Sequence, residues 1–109
     1  MDDAVQRRAA ANEATIRDVN EAIERGQWPG ERDSPATFRC ECARLDCNQM
    51  IALTPIEYEE VRQHPRRFVL VPGHEIAEIE PVVERRASYL VVEKRGDAGE
   101  LADERDRRG

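Results

Sequence analysis

The stretch Phe38-Arg-Cys-Glu-Cys-Ala-Arg-Leu-Asp-Cys47 contains all three cysteines of the chain, within a few positions of one another. Charged side chains such as Glu41 and Arg44 separate the thiols, so the stretch does not read as an apolar segment of unrelated core cysteines. A structural zinc ion takes four ligands in a near-tetrahedral arrangement, as thiolates or neutral imidazoles. Three thiols in one short loop therefore predict a metal site whose fourth ligand comes from elsewhere in the chain.

The fourth ligand is expected to be one of the two histidines. His74 lies in Val71-Pro-Gly-His-Glu75, a tight turn directly after an apolar strand, and such a turn holds an imidazole in a fixed position. His64 precedes Pro65 at a predicted helix end, where a surface role is ordinary. We therefore expect zinc to be bound by a Cys3His set, with His64 as the alternative fourth ligand. The predicted ligands are Cys40, Cys42, Cys47 and His74.

Other chemistries of the cysteine loop stay open at this point. The thiols could be free, or could serve an iron–sulfur cluster or a redox reaction. If no histidine binds, water could complete the zinc site and Glu75 or Glu41 could act as a base in hydrolysis. A cysteine nucleophile would need an oxyanion hole, and no glycine-rich loop lies beside any cysteine. A zinc site with four protein ligands has no open coordination position and is structural, so we expect that the protein is not an enzyme.

The composition bounds the remaining classes of function. The 109 residues suffice for one small domain, and 39% apolar with 37% charged residues give a thin core that a metal or a second copy would help to stabilise. A net charge of −6 disfavours general nucleic-acid binding, although Arg62, Arg66 and Arg67 could form a local basic patch. The first residues contain no apolar segment typical of a signal peptide, and no apolar run approaches a length of about 18 residues. We expect a soluble cytoplasmic protein with reduced thiols and no membrane contact.

The sequence of the first segment, residues 1–26, predicts an amphipathic helix. Apolar residues recur at alternating spacings of three and four, which is the seam of a coiled coil, with Asn12 in the same register. This pattern predicts a surface that binds another protein or a second copy of the chain as a homodimer. The alternative is that the helix packs on the core of its own domain. The seam residues are Val5, Ile16, Val19 and Ile23, with the small residue Ala9 and Asn12 at the seam positions between Val5 and Ile16.

The rest of the chain divides into a linker at 27–36, a zinc-binding α+β domain at 37–95 and a polar tail at 96–109 that is expected to be disordered. Thr54-Pro-Ile-Glu57 has the pattern of a helix capping box. We expect an α+β fold in which the N-terminal amphipathic helix precedes a small, zinc-stabilised, mostly antiparallel sheet with one short helix. The predicted strands are 37–40, 49–53, 68–71, 82–86 and 89–94.

Several pieces of the chain resemble a family of small proteins from high-GC Gram-positive bacteria that carry a Cys3His zinc motif. The matching pieces include Phe38-x-Cys-Glu-Cys, Cys47 and Pro72-Gly-His-Glu75. The resemblance implies that the cysteine loop and the Pro-Gly-His turn occur together, which suits a shared metal site, but it implies no function. Ala43 departs from the glycine usual in that family. The cysteine spacing is also similar to the zinc loop that follows SET methyltransferase domains, where a remote residue completes the site.

From the sequence we therefore expect a non-catalytic zinc-binding protein that serves as a protein–protein interaction or regulatory module. The alternative is a thiol-based redox sensor whose oxidation releases the zinc.

Overall fold

The computed structural model describes residues 3–26, 32–42, 47–76 and 80–106. A long helix comes first, five short strands and a short helix follow, and a further helix lies near the C-terminus. The elements are α1 (Asp3–Arg25), β1 (Ala36–Arg39), β2 (Met50–Leu53), α2 (Pro55–Arg62), β3 (Arg67–Leu70), β4 (Val82–Arg85), β5 (Leu90–Glu93) and α3 (Gly96–Glu104).

The strands form two antiparallel sheets. The first consists of β1 and β2, with Phe38 opposite Ile51. The second has the order β3-β5-β4, so β5 is its central strand, and Phe68 of β3 lies opposite Val92 of β5. The predicted small α+β fold is confirmed, and its strands pair antiparallel as expected. The strands divide between two sheets, and α3 is present in addition to the one short helix expected.

The start of α2 follows directly from its sequence. Thr54 Oγ1 accepts a hydrogen bond from the Glu57 amide at 3.0 Å, and Glu57 Oε1 accepts one from the Thr54 amide at 2.8 Å. Pro55 occupies the first helical position, where no amide donor is needed. The capping box predicted from Thr54-Pro-Ile-Glu57 is therefore confirmed, and it fixes where the chain leaves β2.

The core has two main apolar clusters that meet at β3 and β5. In the first, the ring of Phe38 stacks on Tyr58 with 4.7 Å between ring centroids. In the second, Cys40 and Cys42 pack with Phe68 and other side chains of the three-stranded sheet. The cysteine loop therefore lies at the edge of the core, where its first two thiols pack against the sheet.

Helix α1 packs on the rest of the fold, which is the alternative interpretation of its sequence given above. Its buried face is largely polar and differs from the apolar seam, of which Val19 is 38% exposed while Ile16 and Ile23 are half-buried. The side chain of Val5 lies outside the described residues. No helix among the described residues is long and apolar enough to cross a membrane. Among the described side chains of α1, the buried ones are Ala10, Glu13, Ala14, Arg17, Asn20 and Glu24.

Two buried cations hold α1 against the sheet. The Lys94 ammonium pairs with Glu13 of α1 and with Glu80, and all three side chains are fully buried. The Arg17 guanidinium lies 4.6 Å from the centre of the Phe68 ring and donates to the Ala102 carbonyl at 2.9 Å. Because a buried charge needs partners, these contacts restrict α1 to one docked position.

The C-terminal segment requires a correction. Residues 96–104 form α3, although their polar composition predicted a disordered tail over 96–109. Ala98, Leu101 and Ala102 recur at helical spacing and are buried, two of them in a small cluster with Ala10 of α1. Charged residues surround these three apolar residues in the sequence, so the composition of the segment alone does not indicate a helix with a buried side. Residues 107–109, and residues 27–31 of the expected linker, lie outside the described residues.

Candidate metal centre

The structure brings together the four residues predicted to bind a metal. Cys40 directly follows β1, Cys42 and Cys47 belong to the connection between β1 and β2, and His74 follows β3. One potential ligand atom from each of the four lies within 4.8 Å of the others. Residues 43–46, between the second and third cysteines, lie outside the described residues. The two ends of this connection are held together, since the Cys40 amide donates to the Gln49 carbonyl at 3.0 Å.

A tight turn delivers His74 to the cysteines. The His74 amide donates to the Val71 carbonyl at 3.0 Å, and Gly73 has a φ of 95°. Pro72 followed by a residue of positive φ is the pattern of a type II turn, in which the third position favours glycine. Val71 also contacts the first cysteine, because its amide lies 3.2 Å from Cys40 Sγ. The turn and the first thiol are therefore fixed relative to one another by the end of β3.

The distances at the histidine fit a tetrahedral metal. His74 Nδ1 lies 3.5 Å from Cys40 Sγ and 3.7 Å from Cys47 Sγ. Zinc bonds of about 2.3 Å to sulfur and about 2.0–2.1 Å to nitrogen at the tetrahedral angle imply a sulfur–nitrogen separation of about 3.5 Å. The arrangement therefore suits a metal bound through Nδ1 of the imidazole.

The thiols lie in surroundings that favour a cation. Burial raises the pKa of the Cys40 thiol, and the neighbouring Cys42 and Cys47 raise it further, against the opposing hydrogen bond from the Val71 amide. Cys40 and Cys42 are buried, and Cys47 is partly exposed. Thiolates gathered in such a place repel each other, and a bound cation would relieve that repulsion. The cluster can thus hold a metal ion whose binding releases thiol protons.

Glu41 lies between the first two cysteines and was considered above as a base in hydrolysis. The structure shows that it supports the cysteine loop from the core. Its carboxylate is fully buried and accepts hydrogen bonds from Asn20 Nδ2 at 2.9 Å, the Tyr58 hydroxyl at 2.8 Å and the Val69 amide at 2.9 Å. Burial raises the pKa of Glu41, and these donors act in the opposite direction. In an extended segment, successive side chains point to opposite faces. This alternation is the feature of the sequence that indicates that Glu41 faces away from Cys40 and Cys42.

The other candidate groups lie elsewhere or have other partners. His64 is exposed, follows α2, and borders a cavity of about 190 Å³ that Glu60 and Tyr89 also line. It does not belong to the cysteine–histidine cluster. Glu75 Oε1 accepts a hydrogen bond from the Gly73 amide at 2.8 Å, within the turn itself. Both carboxylates considered as bases therefore have other hydrogen-bond partners. Glu41 is bonded within the core, and Glu75 is bonded within the turn.

The arginines considered as a basic patch each pair with a carboxylate. Arg62 is buried and bonds to Glu21 and Asp106. Arg66 pairs with Asp103 at 2.8 Å and Arg67 with Glu93 at 3.2 Å. These positive charges are therefore balanced within the fold.

The comparisons with known proteins do not extend this description. The chain matches no protein-family model, and neither a curated protein nor a solved structure is significantly similar to it. The resemblance to the Cys3His family of high-GC Gram-positive bacteria stays a prediction. What is shown is a small α+β fold with a Cys3His cluster that could hold a metal ion.

Proposed function

We propose that this protein is a non-catalytic zinc-binding module that acts through interaction with another protein or with a second copy of the chain, in the reducing environment of the cytoplasm. The observation that carries the zinc assignment is the position of His74 Nδ1 at 3.5 and 3.7 Å from two cysteine sulfurs. Those separations match the edges of a tetrahedral sulfur–nitrogen zinc site.

The donor set supports zinc among the common metals. Three thiolates and one imidazole are soft or borderline ligands, whereas Mg²⁺ and Ca²⁺ prefer oxygen donors. All four candidate ligands come from the protein, so the site offers no open position for a substrate. The proposed role of the metal is therefore to join the cysteine loop to the turn after β3, and its binding free energy contributes to folding.

Metal content tests this proposal directly. The wild-type protein, purified without chelator, should contain about one zinc ion per chain, which is the stoichiometry of one closed Cys3His site. His74→Ala should lose most of that zinc, and His64→Ala, the matched control, should keep it. Absence of zinc from the wild type, or zinc retained by His74→Ala and lost by His64→Ala, would contradict the assignment.

The interaction part of the proposal places the partner on the seam of α1. Val19 supports this placement, because it is an apolar side chain that is 38% exposed on the outer side of the helix. Ile23 packs partly against the core and is less accessible. Val19→Lys should weaken self-association measured by light scattering coupled to size exclusion, and Thr15→Lys, also exposed on α1, should not. A monomeric wild type would contradict the homodimer form of the proposal.

A redox role is the second candidate, and the exposure of Cys47 favours it. Cys47 is partly exposed, whereas the other two cysteines are buried. Hydrogen peroxide could therefore oxidise the Cys47 thiolate to a sulfenic acid, which a neighbouring cysteine thiol would convert into a disulfide with loss of water. Zinc release measured with a colorimetric chelator during peroxide titration tests this role. Release only at oxidant levels that also unfold the protein would contradict it.

A further inference from the structure

We propose that Asn20 of α1 and Glu41 of the cysteine loop couple metal binding to the docking of the C-terminal half of α1. This inference rests on the proposed function, since it requires that the cysteine–histidine cluster binds a metal. It concerns two residues that are not metal ligands.

The contact between α1 and the loop is specific. Asn20 is fully buried, and its side-chain amide pairs with the backbone of Arg39 in both directions. Asn20 Nδ2 donates to the Arg39 carbonyl at 2.8 Å, and Asn20 Oδ1 accepts from the Arg39 amide at 2.8 Å. The same Nδ2 atom donates to Glu41 Oε2 at 2.9 Å. Asn20 thus satisfies the strand end that leads directly into Cys40.

The residues bonded to Asn20 lie next to the predicted metal ligands. Arg39 precedes Cys40, and Glu41 separates Cys40 from Cys42. A metal that fixes both cysteines would also fix the backbone between them and hold Arg39 and Glu41 where Asn20 can bond to both. Loss of the metal would remove this restraint, whereas the bonds from Tyr58 and Val69 to Glu41 would stay, so the three hydrogen bonds of Asn20 would be kept less often.

The other half of α1 has anchors that do not involve the loop. Glu13 is bonded to the buried Lys94, and Arg17 donates to the Ala102 carbonyl at 2.9 Å. Ala10 packs with Ala98 and Leu101 of α3. These contacts should persist when the metal leaves. In the C-terminal half, the bond from Arg62 to Glu21 and the packing of Ile23 should also remain, so we expect a local loosening of the helix around Asn20.

The coupling is reciprocal because it is an equilibrium between two linked events. If the metal favours docking of α1, then docking of α1 must favour the metal by the same factor. A variant that loses the Asn20 contacts should therefore bind zinc more weakly although all four ligands are intact. Coupling between two binding events typically changes affinity by about 5- to 150-fold.

Hydrogen exchange on the wild-type chain tests the docking half of the proposal. With zinc removed by a chelator, backbone amides of residues 18–25 should exchange about tenfold faster or more, as expected when a local contact opens. Residues 10–14 of the same helix and residues 90–93 of β5 are the internal controls and should change by less than about twofold. Equal effects of zinc removal on both halves of α1, or none on residues 18–25, would overturn the proposal.

Zinc affinity measured by competition with a chromophoric chelator tests the reciprocal half. Asn20→Ala should bind zinc about tenfold more weakly, and Thr15→Ala, an exposed position on the same helix, should stay within about twofold of wild type. A wild type that binds no zinc overturns both this inference and the proposed function. Wild-type zinc affinity in Asn20→Ala overturns the coupling alone.

Discussion

The hydroxyl of Tyr58 donates a hydrogen bond of 2.8 Å to the carboxylate of Glu41, and both side chains are completely buried. This bond connects α2 to the segment between the first two cysteines. Burial and the neighbouring carboxylate together raise the pKa of Tyr58, so the phenol keeps its proton and acts as a donor. The core beneath the candidate metal centre is thus organised around a carboxylate, and not around apolar contacts alone.

Removal of the Tyr58 hydroxyl should destabilise the fold more than removal of the Tyr89 hydroxyl. Tyr58→Phe leaves the buried Glu41 with one donor fewer, which costs about 1–3 kcal/mol of unfolding free energy. Tyr89 donates to Glu57 at 3.3 Å, and that carboxylate is accessible to water, so Tyr89→Phe should cost less than about 1 kcal/mol. Urea unfolding of both variants measures the difference. Equal destabilisation would show that the Glu41 contact has no special weight.

Gly99 of α3 should not tolerate alanine, although alanine favours helices by about 1 kcal/mol over glycine. A Cβ atom at Gly99 would lie 2.9 Å from the Lys94 carbonyl oxygen and 2.7 Å from Arg66 Nη1. The backbone oxygen cannot move away without disturbing β5, so we expect a loss of about 1–3 kcal/mol.

Gly26, at the end of α1, is the matched control for this substitution. Its Cβ would meet nothing closer than 3.5 Å, so Gly26→Ala should be neutral or slightly stabilising. Thermal unfolding of the two variants decides the matter. A Gly99→Ala protein as stable as the wild type would mean that Gly99 does not lie this close to the Lys94 carbonyl.

The buried Glu13 should make stability decrease as the pH rises toward neutrality. Burial raises the pKa of Glu13 from 4.5 to about 7, although Lys94 and Arg17 act in the opposite direction. Between these values the folded chain holds a proton that the unfolded chain has lost. The stabilisation is therefore complete below pH 4.5 and is lost as the pH rises through about 7.

Comparison with Glu13→Gln measures this effect together with the response of Lys94, whose pKa is lowered by burial and raised by Glu13. The variant keeps the metal ligands and Glu80. The unfolding free energy of the wild type minus that of Glu13→Gln should fall between about pH 4.5 and 7. Glu57→Gln should show the opposite sign, since the Thr54 amide lowers the pKa of Glu57 and its stabilisation is lost as the pH falls. A difference independent of pH would contradict the raised pKa of Glu13.

The sequence predicts the parts of this fold that depend on local chemistry. The capping box at Thr54, the tight turn that contains His74 and the short apolar strands all have distinct patterns, and the structure contains them. The position of the Cys3His cluster was also predictable, because four ligands are needed and few donors are available. Each of these features is decided by residues that are neighbours in sequence or by the coordination chemistry of a metal.

The parts that were missed depend on contacts between distant segments. The expected apolar seam of α1 did not indicate that its buried face would contain Glu13, Arg17 and Asn20. Polar residues at these positions look solvent-exposed until their partners on other elements are known, as with Glu13 and Lys94, which are 81 positions apart. The same reason explains the difference at residues 96–104, because their short apolar side packs on α1 and on the three-stranded sheet, which are distant in sequence.

X-ray absorption at the zinc edge of the purified protein tests the central claim most directly. A site made of Cys40, Cys42, Cys47 and His74 predicts three sulfur ligands at about 2.3 Å and one nitrogen ligand at about 2.0–2.1 Å. The spectrum of His74→Ala, reloaded with zinc, should lose the imidazole scattering, and that of His64→Ala should not. A first shell with oxygen ligands, or with fewer than three sulfurs, would contradict the proposed site.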